Sequence, residues 1–372
     1  MSAVIARQQL PVTKYIYNHD VMNCTDESLV GNHLYSGRAL GITEPWDMIQ
    51  LHEDLKPLWP DINKHYRRVG LRHAKEVVWF LNLKQIGAHV GYQPSVFNFG
   101  ADEYRCWGDY EWLESVEYIN SKNNFMALAN QLGMDTPKTV CFDSATKIDD
   151  AAIAEIRFPC FLKAAVSTPG IDSYRCENNT ELMNACRNFS TEMAVQVQEE
   201  IYSHVILNLQ YKITGHELIR LAASEKIQDG FVHQGDRMPA RYAPWDTVEP
   251  IAIWLKEHGM KGIFTFDVAV VQTNRGLRFP VMNCNPRFNG ASYPALIAQK
   301  LNIPEWSAKT FTTRYRNLAD INLTDIEFDQ ASGEGAIIVN WGTVLVGNLT
   351  ILMAGSKDYQ DALEIELLAR LC

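Results

Sequence analysis

From residue 121 onward, the spacing of apolar and polar positions predicts alternating helices and strands. After Ser121, a residue type that caps helix N-termini, apolar residues recur at helical spacing until Gly133, which would end the helix. A short apolar segment at 158–163, which ends in Lys163, is typical of a buried strand, and the more polar segment 194–201 is predicted to be a further strand. The same criteria predict further helices at 149–156, 180–189 (capped by Thr180) and 249–258.

Turns that contain glycine separate pairs of apolar segments and predict antiparallel strand pairs. The last of these turns lies in a C-terminal module of two strands and a helix from Tyr359, which could form a small extra sheet. The turns lie at 214–216, 274–276 and 346–348, and the strands that flank the first two are 204–213, 217–223, 263–271 and 278–283.

The first 110 residues show apolar clusters that alternate with polar, glycine-containing stretches, which suits an α/β domain. Three glycines lie in residues 31–41, but their spacing is not the GxGxxG of dinucleotide-binding folds. We therefore interpret this segment as a loop that leads into a helix. The chain also lacks a Walker-type GxxxxGK motif, and both absences argue against a two-domain dehydrogenase or kinase.

The composition sets the size and class of the protein. With 372 residues, of which 47% are apolar, the chain is long enough for two or three packed subdomains. The net charge of −10 argues against a broad nucleic-acid surface, and no apolar run approaches the roughly 20 residues of a membrane span. Eight cysteines without a CxxC pair predict free thiols and a reducing cytoplasm.

Five segments, taken in order over roughly residues 115–310, resemble the ATP-grasp superfamily. The resemblance implies an α/β (α+β) fold in which an N-terminal pre-grasp domain precedes two subdomains that sandwich ATP. The implied domains are 1–114, 115–200, 201–330 and, as the C-terminal module, 331–372. The five segments are SKNNFMALANQLGMDTP, FPCFLKAA, VQVQEEI, FTFDVAVV and VMNCNPRFNGASYP.

The resemblance also implies the nucleotide-binding residues. Lys122 and Lys163 match the two lysines that contact the ATP phosphates, and a lysine ammonium suits a phosphate because it is a compact charge with three donors. Gly170 is the single glycine of residues 167–173, where the family has a glycine-rich loop over the phosphates. The segment that binds adenine would supply Gln198, Glu199 and Ile201.

The implied Mg²⁺ site departs from the family pattern. Asp267 and Asn285 match the family's metal-binding acid and asparagine, but Asn283 stands where the family has a glutamate. An amide oxygen can bind a hard cation, yet it carries no charge to offset that of Mg²⁺.

The motif that contains Asn285 continues with an Asn-Pro-Arg turn whose arginine is Arg287. A guanidinium suits a transferring phosphate or a substrate carboxylate, so the resemblance implies that Arg287 and Lys163 are the catalytic residues. Asn289 and Ser292 follow, in a loop that would face the substrate.

Together these features predict an ATP-dependent ligase that activates a small-molecule carboxylate as an acylphosphate, joins it to an amine, and releases ADP and phosphate. ATP and Mg²⁺ are the expected cofactors. A first alternative loads the carboxylate onto a carrier-protein thiol or a peptide. A second, favoured by Asn283 and the glycine-poor loop, is a catalytically weak ATP-binding sensor or structural protein. Neither nucleic acid nor membrane is an expected partner, and the C-terminal module could form a homodimer contact.

Overall fold

The computed structural model describes residues 13–25, 30–166, 173–229 and 232–372. Within these residues, the strands form three sheets and one separate short hairpin. None of the described helices combines the length and apolar character that crossing a membrane requires. The cysteines are free thiols, and Cys160, Cys176 and Cys284 are buried.

The N-terminal region is an α/β unit, as predicted. Its strands are β1 (Lys14–Asn18), β2 (Met48–Gln50), β3 (Glu76–Val78) and β4 (Tyr92–Val96). They pair in parallel in the order β3-β2-β1-β4. The helices of this region are α1 (Trp59–Arg68), α2 (Leu83–Ile86), α3 (Ala101–Trp107) and α4 (Tyr110–Asn120), with a 3₁₀ helix at Glu53–Leu58.

The glycine-containing segment after β1 differs from its predicted structure. It is a 3₁₀ helix, Asn32–Ile42, rather than a loop that leads into a helix. Its glycines allow close packing: a Cβ at Gly37 would lie 3.0 Å from the Trp341 ring, and one at Gly41 would lie 2.7 Å from Ile297. These contacts come from distant parts of the chain, so no local pattern could reveal them.

The predicted helix after Ser121 is α5 (Lys122–Gln131). The Ser121 hydroxyl accepts a hydrogen bond from the backbone N–H of Asn124, and Gly133 follows with a φ of 66°. The prediction of a cap at Thr180 was wrong. The next helices are α6 (Asp150–Glu155) and α7 (Asn179–Cys186), and Asn178 caps α7 because its side chain accepts the backbone N–H of Glu181.

The strands of a small sheet lie before, between and after α6 and α7 in the sequence. Its strands are β5 (Thr139–Phe142), β6 (Cys160–Ala164), β7 (Tyr174–Cys176) and β8 (Val195–Glu199). They are antiparallel and lie in the order β5-β8-β6-β7. Every second residue of β6 and β8 faces an apolar core that includes Leu162, Val195 and Val197.

The remaining strands form one large antiparallel sheet and a hairpin. They are β9 (Ile206–Thr214), β10 (Glu217–Asp229), β11 (Val232–Met238), β12 (Gly262–Ala269), β13 (Val271–Thr273), β14 (Gly276–Arg278), β15 (Val281–Asn285), β16 (Trp306–Thr312), β17 (Gly335–Asn340) and β18 (Asn348–Ala354). The large sheet has the order β15-β12-β9-β10-β11-β16-β18-β17, and β13 pairs with β14 alone. Its helices are α8 (Glu249–Glu257), α9 (Ser292–Leu301) and α10 (Lys357–Leu371).

Four expectations about these strands need correction. The strand predicted at 278–283 is divided, since β14 ends at Arg278 and β15 begins at Val281. The first strand after α8, β12, ends at Ala269 rather than at 271, because Val271 begins the separate β13–β14 hairpin. Strand β10 continues to Asp229, since β11 pairs with its second half. The C-terminal strands do not form an extra sheet: β18 pairs with β16 and so extends the large sheet.

The largest apolar core joins the two ends of the chain. It packs residues of the N-terminal region, such as Leu55 and Tyr66, against Trp306, Trp341 and Leu352 of the large sheet and its connections. A second core lies between α4, α5, α8 and the other end of the large sheet. The large sheet therefore supports both the N-terminal region and the helices that precede the small sheet.

Candidate active site

The small sheet presents a polar face formed by alternate residues of β6 and β8. The valines of β8 point into the core, so Gln196 and Gln198 share the opposite face with Lys163, which pairs directly with Gln196. Lys163 Nζ donates to Gln198 Oε1 at 3.0 Å, and Gln198 Nε2 donates to Thr139 Oγ1 at 3.2 Å. Gln196 was not among the site residues predicted from the sequence. Its Oε1 is buried and has no hydrogen-bond partner among the described residues.

The large sheet presents a second polar face across β9, β12 and β15. Asp267 lies opposite Asn208 on one side and Asn283 on the other, because β12 is the middle strand of the three. Residues directly opposed on neighbouring strands lie on the same face. Phe264 and Phe266 of β12 point to the other side, into the apolar core. The polar face consists of Asn208, Gln210, Thr265, Asp267, Asn283 and Asn285.

Lys226 of β10 completes this polar face and was also missed from sequence. Its Nζ lies 2.8 Å from Asp267 Oδ1, and Asn208 Nδ2 donates to the same carboxylate oxygen at 3.2 Å. Burial lowers the pKa of Lys226, but the Asp267 carboxylate outweighs burial and raises the pKa above its ordinary value. Only the pairing of β9 with both β10 and β12 brings these residues together, so the sequence around Lys226 does not indicate that it lies beside Asp267.

Lys122 and Lys163 lie together, and both are partly buried. Lys122 Nζ donates to the carbonyl oxygen of Ala164, the residue after Lys163, at 3.2 Å. Burial, followed by the charge of Arg287, lowers the pKa of Lys122 to about 8. Burial, followed by the charge of Lys122, lowers the pKa of Lys163 to about 8, although Asp267 opposes the shift. The sequence-predicted lysines therefore meet, and Lys163 of the small sheet is close to Asp267 of the large one.

Arg287 lies where the large sheet meets the N-terminal region. Its Nη1 donates to Asn120 Oδ1 at 3.3 Å, and its backbone forms an isolated bridge with Asn98. Burial lowers its pKa from the ordinary value for arginine. Arg287, Lys122 and Lys163 thus form a partly buried group of positive charges, which we call the cationic cluster. Positive charges brought together in partly desolvated surroundings repel one another, so the cluster is suited to bind an anion.

The metal-binding residues predicted from sequence also come together. Asp267 and Asn283 are opposed across β12 and β15, and Asn283 Nδ2 donates to Asn285 Oδ1 at 3.3 Å. Mg²⁺ in nucleotide sites is commonly held by one or two carboxylates together with substrate phosphates. One carboxylate and two amide oxygens therefore fit a single divalent cation shared with a polyphosphate, with Lys226 as a second positive charge on Asp267.

The other predicted residues have different surroundings. Asn289 Oδ1 accepts from Ser292 Oγ at 3.1 Å, and Asn289 Nδ2 donates to Thr265 Oγ1 at 3.1 Å. These bonds fix the loop before α9 against the polar face of the large sheet. Glu199 Oε1 accepts from the backbone N–H of Lys138 at 2.7 Å. A substrate role for Asn289 and Ser292, and an adenine role for Glu199 and Ile201, stay predictions. Gly170 lies outside the described residues.

Known structures resemble this arrangement across most of the chain. N5-carboxyaminoimidazole synthetase from Staphylococcus aureus, complexed with ADP, matches with a TM-score of 0.60 at 11% identity over 98% of each chain. N5-carboxyaminoimidazole ribonucleotide synthetase from Thermus thermophilus matches with a TM-score of 0.60 at 12% identity, over 96% of this chain and 98% of that one. An L-amino acid ligase from Bacillus licheniformis matches with a TM-score of 0.56 at 12% identity over 98% of each chain.

The comparisons of sequence give no further relatives. No family model matches the chain, and no curated protein sequence does. At 11–12% identity the structural matches establish the fold, and that fold agrees with the motif order, the paired sheets and the parallel N-terminal unit. The chain therefore has the ATP-grasp fold with a pre-grasp domain, as its sequence motifs predict.

Proposed function

We propose that this protein is an ATP-dependent ligase that activates a substrate carboxylate as an acylphosphate and joins it to an amine. The observation that carries the proposal is the partly buried cationic cluster of Lys122, Lys163 and Arg287 beside Asp267. One structure of the same fold is complexed with ADP, and another is an L-amino acid ligase, which supports a nucleotide and a ligation reaction here.

ATP would lie between the two polar faces. The phosphates would contact Lys122 and Lys163, and the end of β8 from Gln198 to Ile201 would hold the adenine. A divalent cation on Asp267, Asn283 and Asn285 would neutralise part of the phosphate charge. Lys226 keeps the Asp267 carboxylate oriented by its 2.8 Å contact, so this carboxylate does not depend on the cation for its position.

The reaction would proceed in two steps. In the first, a carboxylate oxygen of the substrate bonds to the γ-phosphorus as the bond to the ADP oxygen breaks. Arg287 would orient this carboxylate, and the lysines would stabilise the charge that develops on the phosphate oxygens. In the second, an amine bonds to the acyl carbon, the carbon–oxygen bond to phosphate breaks, and the amine proton passes to solvent.

The proposal is tested by ADP release from Mg-ATP in the presence of pooled amino acids and simple carboxylic acids. We expect ADP release that requires at least one carboxylic acid together with an amine. Each active pool is then divided to identify the acid and the amine. ATP binding with no ADP release in any pool would refute the ligase assignment.

A second candidate is a nucleotide-binding protein with little turnover. It is favoured by the environment of the single metal-site carboxylate: Asp267 already pairs with Lys226, and Asn283 bonds to Asn285. The same assay separates the two candidates. A nucleotide-binding protein with little turnover would bind ATP and would release no ADP above the rate measured without protein. The carrier-protein alternative stays a prediction without a structural observation in its favour.

ATP binding should depend on pH near 8. Both lysines have pKa values of about 8, so each is charged below this pH and loses its charge above it. A bound polyphosphate stabilises the charged form and raises both pKa values. We therefore expect proton uptake when ATP binds at pH 8, and an affinity that falls roughly tenfold or more between pH 7 and 9.5.

Calorimetry at pH 8, in buffers with different heats of ionisation, measures this proton uptake directly. A matched titration at pH 6.5 serves as the control, because both lysines are already charged there and uptake by them should vanish. Equal heats in all buffers at pH 8, with a flat affinity from pH 7 to 9.5, would show that these lysines do not contact the phosphates.

A further inference from the structure

Strand β11 extends the polar face of the large sheet beyond Lys226. Asp236 of β11 is directly opposite Lys226 of β10, so the two side chains lie on the same face. Burial lowers the pKa of Lys226, but the charges of Asp267 and Asp236 raise it above its ordinary value. Lys226 therefore lies between two carboxylates, one in the proposed metal site and the other on β11.

The carboxylate on β11 also holds a histidine. His233 Nε2 lies 2.9 Å from Asp236 Oδ2, and Ser224 Oγ donates to Asp236 Oδ1 at 3.4 Å. The Asp236 side chain is 4% exposed, whereas that of His233 is 45% exposed. Because an ionised carboxylate only accepts hydrogen bonds, Nε2 carries the proton that it donates to Asp236. The other ring nitrogen, Nδ1, is then an acceptor without a hydrogen-bond partner among the described residues.

His233 lines a cavity of about 340 Å³ together with Gly290, which follows Arg287 in the loop between β15 and α9. A Cβ at Gly290 would lie 4.0 Å from His233 Cε1, so the imidazole borders this loop directly. The preceding residue of the loop, Asn289, bonds to Thr265 on the polar face of the large sheet. The imidazole and the cavity thus lie beside the loop that carries Arg287.

The other titratable groups that are described in the cavity wall are not suited to accept a proton from a bound molecule. Asp236 is almost fully buried, and Lys309 pairs with Glu364 at 2.6 Å. Phenols and guanidinium groups are not bases near neutral pH, which sets aside Tyr35, Arg38 and Tyr293. An imidazole that is exposed and carries a free nitrogen is the group that general-base catalysis uses most often.

We propose that His233 is the general base of the ligation step, for an amine that binds in this cavity. The proposal rests on the proposed ligase function. As the amine nitrogen bonds to the acyl carbon, its proton moves to Nδ1 of His233. The carbon–oxygen bond of the acylphosphate breaks, and phosphate leaves with the electron pair. Asp236 orients the ring and stabilises the imidazolium, which then releases the proton to solvent.

The test separates the two steps of the reaction with hydroxylamine. Hydroxylamine is a strong nucleophile that is neutral at neutral pH, so it captures an acylphosphate as a hydroxamate without a base from the protein. The full chain is incubated with Mg-ATP and the pools of amino acids and simple carboxylic acids, with and without excess hydroxylamine. Mass spectrometry then measures the ligated product in one sample and the hydroxamate in the other.

His233→Gln should lower the formation of ligated product roughly 10²–10⁴-fold, whereas hydroxamate formation should change only a few-fold, because only the ligation step needs a base. Asp236→Asn should give the same pattern, since an amide does not stabilise the imidazolium, and it provides a second measurement if one variant does not fold. Unchanged ligation in His233→Gln would overturn the proposal. Equal losses of both products would overturn it as well.

His33→Gln is the matched control. His33 Nε2 also lies close to a carboxylate, 3.1 Å from Asp54 Oδ2, and its side chain is 29% exposed. Neither residue lines the described part of the cavity, so both products should form at the wild-type rate.

The same samples distinguish failure of this proposal from failure of the proposed function. A wild-type chain that forms neither hydroxamate nor ligated product would refute the ligase, and the role of His233 with it. A wild-type chain that forms both, with ligation independent of His233, would leave the ligase standing and refute only the general base.

Discussion

Lys163→Met will lower ATP turnover by roughly 10²–10³-fold while the protein stays folded. The variant removes one partly buried positive charge from the position that we propose for the ATP phosphates, a loss comparable to that of an oxyanion-hole donor. The fold should tolerate the change, because the charged form of Lys163 is disfavoured by burial and by Lys122. Methionine keeps most of the side-chain volume and loses only the ammonium and its hydrogen bond to Gln198.

The measurement is ADP release with the substrates identified for the wild-type chain, together with a thermal melt. Lys138→Met is the matched control in the same small-sheet region: its side chain is 39% exposed, and its Nζ lies 3.4 Å from Glu155 at the surface. This control should retain full turnover. Near-normal ADP release by a folded Lys163→Met protein would rule out the assignment of Lys163 to the phosphates.

Arg287→Lys will separate ATP binding from catalysis. The lysine keeps the positive charge but lacks the planar pair of donors that a carboxylate requires. We expect turnover to fall roughly 10²–10³-fold, since substrate orientation is lost, while the affinity for ATP changes only a few-fold. The shorter lysine side chain would lose the hydrogen bond to Asn120, whose Oδ1 lies 3.3 Å from Arg287 Nη1. The loss of this one bond should not unfold the protein.

The experiment compares ADP release with ATP affinity in the same preparation. Arg278→Lys is the control, because Arg278 also binds a carboxylate, Asp135, with a 3.1 Å contact from its Nε, but its side chain is 48% exposed on β14. It should leave both quantities unchanged. If Arg287→Lys lowers ATP affinity as strongly as turnover, Arg287 binds nucleotide rather than the substrate carboxylate.

Local sequence patterns were sufficient for several parts of the candidate site. The alternation of valine and glutamine in β8 determines which side chains face the core, so Gln198 and Lys163 share a face. The cap at Ser121 determines where α5 begins and thereby places Lys122. These features depend on residues a few positions apart, where the periodicity of a strand or the hydrogen bond of a cap acts directly.

Other features were not decided by the sequence pattern. Thr180 and Asn178 are both residue types that cap helices, and the sequence alone does not decide which one accepts the first N–H groups. Strand β10 continues past its apolar part because β11 provides hydrogen-bond partners for its polar residues. A strand end is therefore decided by its neighbour as much as by its own residues.

The sequence by itself determined the order of motifs that predicts the fold, and it identified Lys122 and Lys163, the pair of lysines that we propose for the phosphates. Only the tertiary structure decided two things: the ion pair of Lys226 with Asp267, and the union of the C-terminal strands with the large sheet. Each joins residues far apart in the chain. Pairing of that kind depends on the packing of whole sheets, which no short window of sequence encodes.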